Sequence, residues 1–123
     1  MLFIMKEDSD GFDTVLDLCR DEQRRVLLAV LTEEQRSLTV TDLTKALLRN
    51  NHRTPVTEAS REVLTQIQLS LHHEDLPKLE AAGVVEYDPE RKHVEPTAYL
   101  EQLQPYLAAI VDADPDLEEP LEL

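Results

Sequence analysis

Residues 71–88 constrain the fold of this chain more than any other stretch. Leu76, Leu79 and Ala82 recur at helical spacing, and Gly83 stands where a helix can end in a left-handed turn without a steric penalty. Val84-Val85-Glu86-Tyr87 is β-branched and aromatic, so a strand follows the helix at once. Asp88-Pro89-Glu90-Arg91-Lys92 is turn chemistry. His93-Val94-Glu95 can then return as the partner strand until Pro96, which has no amide hydrogen to donate, ends the pairing. The unit is a helix, a glycine stop and a short antiparallel hairpin.

The rest of the chain reads around that unit. Asp13 can cap a first helix, with Leu16, Cys19, Val26, Leu27, Val30 and Leu31 as its apolar stripe and a break near Arg20-Asp21. Ser37-Leu38-Thr39-Val40 is a candidate short strand. Thr41 is placed to cap a second helix, Asp42 to about Arg49, that buries Leu43, Ala46 and Leu47. Residues 50–56 form a loop by their turn residues, and Thr57 is placed to cap a third helix with Val63, Leu64, Ile67 and Leu71 inward. Pro77 should kink or restart that helix, because its ring removes a donor and disfavours helical angles at Leu76; Asp75 is positioned to cap the restart. Beyond the hairpin, Thr97 can cap a last helix carrying Leu100, Leu103, Leu107, Ile110 and Val111 in register, interrupted at Pro105.

This order predicts an α+β, mainly α chain: a winged helix-turn-helix with a short β-hairpin wing and an extra C-terminal helix. The expected divisions are an N-terminal extension (1–12), the winged domain (13–97), a C-terminal helix for dimerisation (98–111) and an acidic disordered tail (112–123). The run Leu76-Pro77-Lys78-Leu79-Glu80-Ala81-Ala82-Gly83-Val84-Val85 resembles the "HLxKLexaGLV" segment of small archaeal and bacterial winged-helix regulators. The chain is also similar to an uncharacterised haloarchaeal winged helix-turn-helix family, in which a double histidine precedes LPKL and a "VxYD" strand opens the wing. Those residues are His72, His73, Leu76 to Leu79, Val85, Tyr87 and Asp88 here, and the likeness reaches upstream to Arg24-Arg25-Val26-Leu27. It spans roughly residues 13–97. The resemblance implies the winged-helix fold and a role in transcription.

Composition narrows the chemistry. A chain of 123 residues suits one modest core, and with two Phe, three Tyr and no Trp that core must be aliphatic. A single cysteine, Cys19, excludes an internal disulfide and a thiolate zinc cluster; on an apolar helical face it reads as a small core residue in a reducing cytoplasm. Met1-Leu2-Phe3-Ile4-Met5 is apolar but too short for a signal peptide or a membrane span, and no membrane partner is expected.

The net charge of −14 combines with a scarcity of lysine (Lys6, Lys45, Lys78, Lys92), a balance resembling the proteins of salt-in halophiles. Such a surface repels itself in dilute buffer, whereas at molar salt the Debye length falls to about 3 Å. The melting temperature should therefore rise between about 0.1 M and 2 M potassium chloride. A melting point flat across that range would overturn the salt-adapted reading.

Two basic islands interrupt this acidity. Lys45, Arg49, Arg53 and Arg61 fall in a window whose sole acid is Glu58, and they run with His52 from the second helix into the third, where a helix-turn-helix meets phosphates. Arg91 and Lys92, next to His93, lie at the wing tip. Gln66 and Ser70 are candidate readers of base edges, as is Gln68. The expected partner is double-stranded DNA, bound as a homodimer through Leu100, Leu103, Leu107 and Ile110; folding of that stripe back onto the first helix is the alternative.

Two features weigh against base reading. Glu62, Glu74, Asp75 and Glu80 face a single Lys78 in the presumed reading helix, and the loop before it exceeds the usual short turn. The competing function is a protein-interaction module whose acidic helix and tail meet a basic partner. No enzyme is expected: the chain has two glycines, so no phosphate-cradling loop, and no nucleophile elbow. Nor is a metal or cofactor. His72 and His73 lie about 100° apart around a helix and cannot share an ion, while His52 and His93 sit on separate loops.

Overall fold

The computed structural model describes residues 11–50, 56–115 and 117. The fold is α+β and mainly helical, with one small antiparallel sheet. Residues 11–18 are helical (α1), so Asp13 lies inside the helix rather than at its cap, and Leu16 is 44 % exposed instead of joining the core. The chain turns at Cys19-Arg20, and α2 (Glu22–Glu34) begins on Asp21, whose extended backbone lets its carboxylate accept from the amides of Gln23 and Arg24. Val26 to Leu31 are all buried, so α2 is covered on every side and forms the axis around which the other elements pack. It ends at Gln35, which takes a left-handed conformation (φ 52°) and donates its amide to the Leu31 carbonyl.

Strand β1 (Leu38–Thr39) leads directly into α3 (Val40–Asn50). The cap is Thr39, two residues before the expected Thr41. Its hydroxyl accepts from the Asp42 amide at 3.0 Å while the Asp42 carboxylate accepts from the Thr39 amide at 3.1 Å, a reciprocal box that satisfies two helix-end donors. Leu43, Ala46, Leu47 and Leu48 are buried. After a 3₁₀ turn (Val56–Glu58), helix α4 (Arg61–Ser70) starts on Ser60 rather than Thr57, the serine oxygen accepting from the Val63 amide at 3.2 Å.

A new α-helical segment starts at Leu76-Pro77, as expected, but without leaving helical backbone angles. The chain widens into a π turn (Leu71–Asp75) and continues as α5 (Leu76–Ala81), with the Leu76 amide reaching back to the Leu71 carbonyl. A proline cannot donate four residues back and its ring crowds that carbonyl; one inserted residue in the π turn relieves both problems. Asp75 has helical angles and caps nothing.

Gly83, at φ 81°, ends α5. Strands β2 (Val85–Asp88) and β3 (His93–Pro96) form the hairpin, and β1 adds to β3, giving the order β1-β3-β2 with Tyr87 and Leu38 both opposite Val94. The turn is held by the Asp88 carboxylate, which accepts from the amides of Glu90 and Arg91. Thr97 ties the base of the hairpin, its hydroxyl donating to the Gly83 carbonyl at 2.7 Å, and caps α6 (Ala98–Gln102). Pro105 sits in the first turn of α7 (Gln104–Ala113), where a proline fits.

The C-terminal stripe is spent inside the chain. Leu100, Leu103 and Leu107 are 2–3 % exposed, Ile110 packs on the same core, and α7 lies against α2. The expected dimer interface is corrected accordingly: these leucines offer a second copy no apolar area. Nor does the chain leave the domain at residue 112. Arg25 and Asp114 form an ion pair at 2.8 Å with the aspartate side chain 6 % exposed, and Leu117 is buried. The rest of the expected acidic tail lies outside the described residues. No helix among the described residues is long and apolar enough to cross a membrane.

Candidate functional site

Apart from Lys78 on α5, the exposed cations described between residues 45 and 92 lie on three elements. Lys45 and Arg49 stand one turn apart on the outer side of α3; Arg61 opens α4, which packs against α3; Arg91 and Lys92 occupy the hairpin tip. Arg91 lies 3.9 Å from Asp88 with its side chain 81 % exposed, an ion pair too open to hold it in place. Lys92 adopts φ 57°, a left-handed angle that turns the tip, and its carbonyl accepts from the Val40 amide at 2.9 Å, tying the tip to the start of α3. Arg53 lies outside the described residues.

The two polar candidates on the third helix separate. Gln66 is exposed, together with Thr65, Gln68 and Leu69. Ser70 is not available to a base edge: its hydroxyl accepts from the Gln23 side-chain amide at 3.0 Å and lies 3.3 Å from the Asp75 carboxylate, which it can donate to. Gln23 also donates to that carboxylate. Asp75 is 2 % exposed, and burial pushes its carboxyl above the ordinary aspartate range; the bond from Gln23 opposes this and neighbouring Asp21 adds to it. The π turn aims Ser70 and Asp75 at α2, and this is what removes both from the outer face.

A second tie joins helix to hairpin. The His72 Nδ1 and the Tyr87 hydroxyl are 2.7 Å apart, and the Tyr87 amide donates to the Glu80 carboxylate at 3.1 Å. Burial, then the charge of Glu80, raises the Tyr87 phenol, so it stays protonated at neutral pH; the His72 tautomer sets which of the two groups donates. One acid and one histidine of the helix are therefore occupied in fixing the hairpin's angle. His73 stacks edge-on against His72. Among the described residues no three metal-type ligands converge. Cys19 is buried and its thiol is pushed up to about 11, mainly by desolvation, so it stays protonated and unreactive at neutral pH.

The signal for the Gln23–Ser70–Asp75 cluster was faint in the sequence. An aspartate two residues before a proline looks like a cap, and its true partner is 52 residues away. The His72–Tyr87 contact joins residues only 15 apart in the sequence, one in the π turn and one on β2.

No curated protein and no solved structure matches the chain. Residues 16–95, well over half its length, match the family model described as "Domain of unknown function (DUF7344)", and the chain belongs to that family.

Proposed function

We propose that this protein is a winged helix-turn-helix DNA-binding regulator. The reading is supported by the order α2-β1-α3-α4/α5-β2-β3 with β1 paired to β3, an arrangement compatible with that fold. The observation that carries it is the placement of charge: in a chain of net charge −14, five of the eight exposed cations among the described residues, Lys45, Arg49, Arg61, Arg91 and Lys92 but not Arg20, Arg36 and Lys78, lie on α3, at the start of α4 and at the hairpin tip. Those are the elements of a winged helix that meet the duplex. In this reading Lys45, Arg49, Arg53 and Arg61 hold phosphates beside the major groove, and Arg91 and Lys92 touch backbone or minor groove from the wing. A dimer spanning two half-sites would need a surface other than the Leu100–Ile110 stripe.

The test is a mobility shift with genomic fragments, read as affinity against potassium chloride from about 0.3 M to 2 M. Alanine at Arg61, Arg91 or Lys92 should weaken binding alike for all sequences and lower the salt slope of log affinity by about one per lost contact. A folded Arg61, Arg91, Lys92 triple-alanine protein with unchanged affinity would remove this interface. Exposed Glu62 and Glu74 favour the second reading, a module for a basic protein partner; there the arginine changes are silent on DNA and binding is lost on changing Glu74.

A further inference from the structure

From Val63 to Leu71 no residue is charged, in a chain where 31 % of residues are. Solvation does not explain this, because an exposed helical face is readily charged and ion pairs one turn apart would stabilise it. The face is exposed all the same. At about 100° per residue, with Ile67 inward at 3 % exposure, Thr65 and Leu69 lie opposite it and one turn apart. Gln66 and Gln68 flank them, one on each side. Leu69 is 52 % exposed, the most exposed large apolar side chain among the described residues.

Resting on the DNA-binding reading above, we propose that this ridge reads A·T base pairs in the major groove. The methyl groups of Thr65 and Leu69 pack on thymine C5-methyls, and the amides of Gln66 and Gln68 pair with adenine N6 and N7. Three observations select duplex DNA as the occupant. The face carries no acid between residues 63 and 71 that would repel phosphates. Cations border it, Arg61 at the start of the same helix and Lys45 and Arg49 on the packed α3. Its donor set is amide plus methyl, which suits A·T; a guanine-reading surface uses Arg or Lys, and residues 63–71 contain neither. Glu62, one turn before Gln66, can accept from the amino group of either adenine or cytosine and so adds no preference between A·T and G·C at the neighbouring pair.

The test starts from a randomised 25-base-pair duplex library, selected at a fixed high potassium chloride concentration. The wild-type protein should enrich sites with A·T pairs at the helix-contacted positions. Replacing a contacted thymine by deoxyuridine removes one methyl and should weaken wild-type binding about fourfold, the worth of one buried carbon. Leu69→Ala should bind the thymine site more weakly and be indifferent to that replacement. Gln66→Ala should lose at least about fivefold of its preference for adenine at one position. Both variants should keep the wild-type salt slope and, being surface changes, the wild-type melting temperature. A deoxyuridine penalty undiminished in Leu69→Ala, or a wild-type preference for G·C, would overturn this proposal and leave the DNA-binding reading standing. Absence of any enrichment by the wild-type protein would overturn that reading, and this one with it.

Discussion

Replacing Leu103 and Leu107 together by glutamate should unfold the protein. Both side chains are 2–3 % exposed in the core, where α7 packs against α2, whose residues 26–31 are all buried. Truncating one such leucine to alanine costs roughly 2–5 kcal/mol, and a carboxylate adds the cost of burying an unpaired charge. Two together approach or exceed the 5–15 kcal/mol that is typical of a whole domain. Far-ultraviolet circular dichroism at about 2 M potassium chloride, where charge repulsion is screened, should show lost helix rather than a folded monomer. Leu16→Glu is the control, since Leu16 is 44 % exposed; it should stay within about 0.5 kcal/mol of wild type. A double variant that melts like the wild type would place the stripe outside the core and return it to the surface.

That contrast shows what periodicity can convey. Leu100, Leu103 and Leu107 at helical spacing announce a buried face, but spacing does not say whether the covering surface belongs to the same chain. The answer lies in α2, where six successive buried residues leave a helix needing cover all round. The hairpin was legible because its causes are local: Gly83 takes φ 81°, Pro96 ends β3, and the residues between choose strand and turn on their own preferences. The Thr97 cap was legible, but Thr41 and Thr57 missed the true caps, Thr39 and Ser60, by two and three residues. Several Ser and Thr compete for each helix start, and Thr39 prevails over Thr41 because pairing of Leu38 and Thr39 with β3 fixes where α3 can begin.

The candidate site divides in the same way. Charge clustering is a property of composition, so Lys45, Arg49, Arg61, Arg91 and Lys92 could be picked out before any fold was known, and each described one is exposed. Ser70 and Asp75 could not be placed, because one extra residue in the π turn rotates the register and because Gln23, which binds both, is far away in sequence. Leu69 passed unnoticed for the opposite reason. An apolar residue in an amphipathic helix is read as core until its neighbours show the core lying on the other side.

Asp75 should have the largest effect of any polar residue. Asp75→Leu leaves the Gln23 amide and the Ser70 hydroxyl facing α2 and the π turn without their acceptor, at roughly 1–3 kcal/mol for each unsatisfied group. Asp75→Asn keeps an oxygen for both donors and removes the titration. The sign of the pH dependence follows from burial. A carboxyl held above its ordinary value binds its proton more tightly in the folded chain than in the unfolded one. Its contribution to stability is therefore complete below the ordinary aspartate range and declines as pH rises through the raised value. The other carboxylates are common to both proteins, so the useful quantity is the difference between wild type and Asp75→Asn. In urea unfolding from about pH 4 to 8 at fixed high salt, the asparagine variant should gain on the wild type as pH rises through the raised Asp75 value. A difference independent of pH would mean that Asp75 titrates normally, and the cluster that aims the π turn would then have to be held by packing of Leu71 and Leu76 alone.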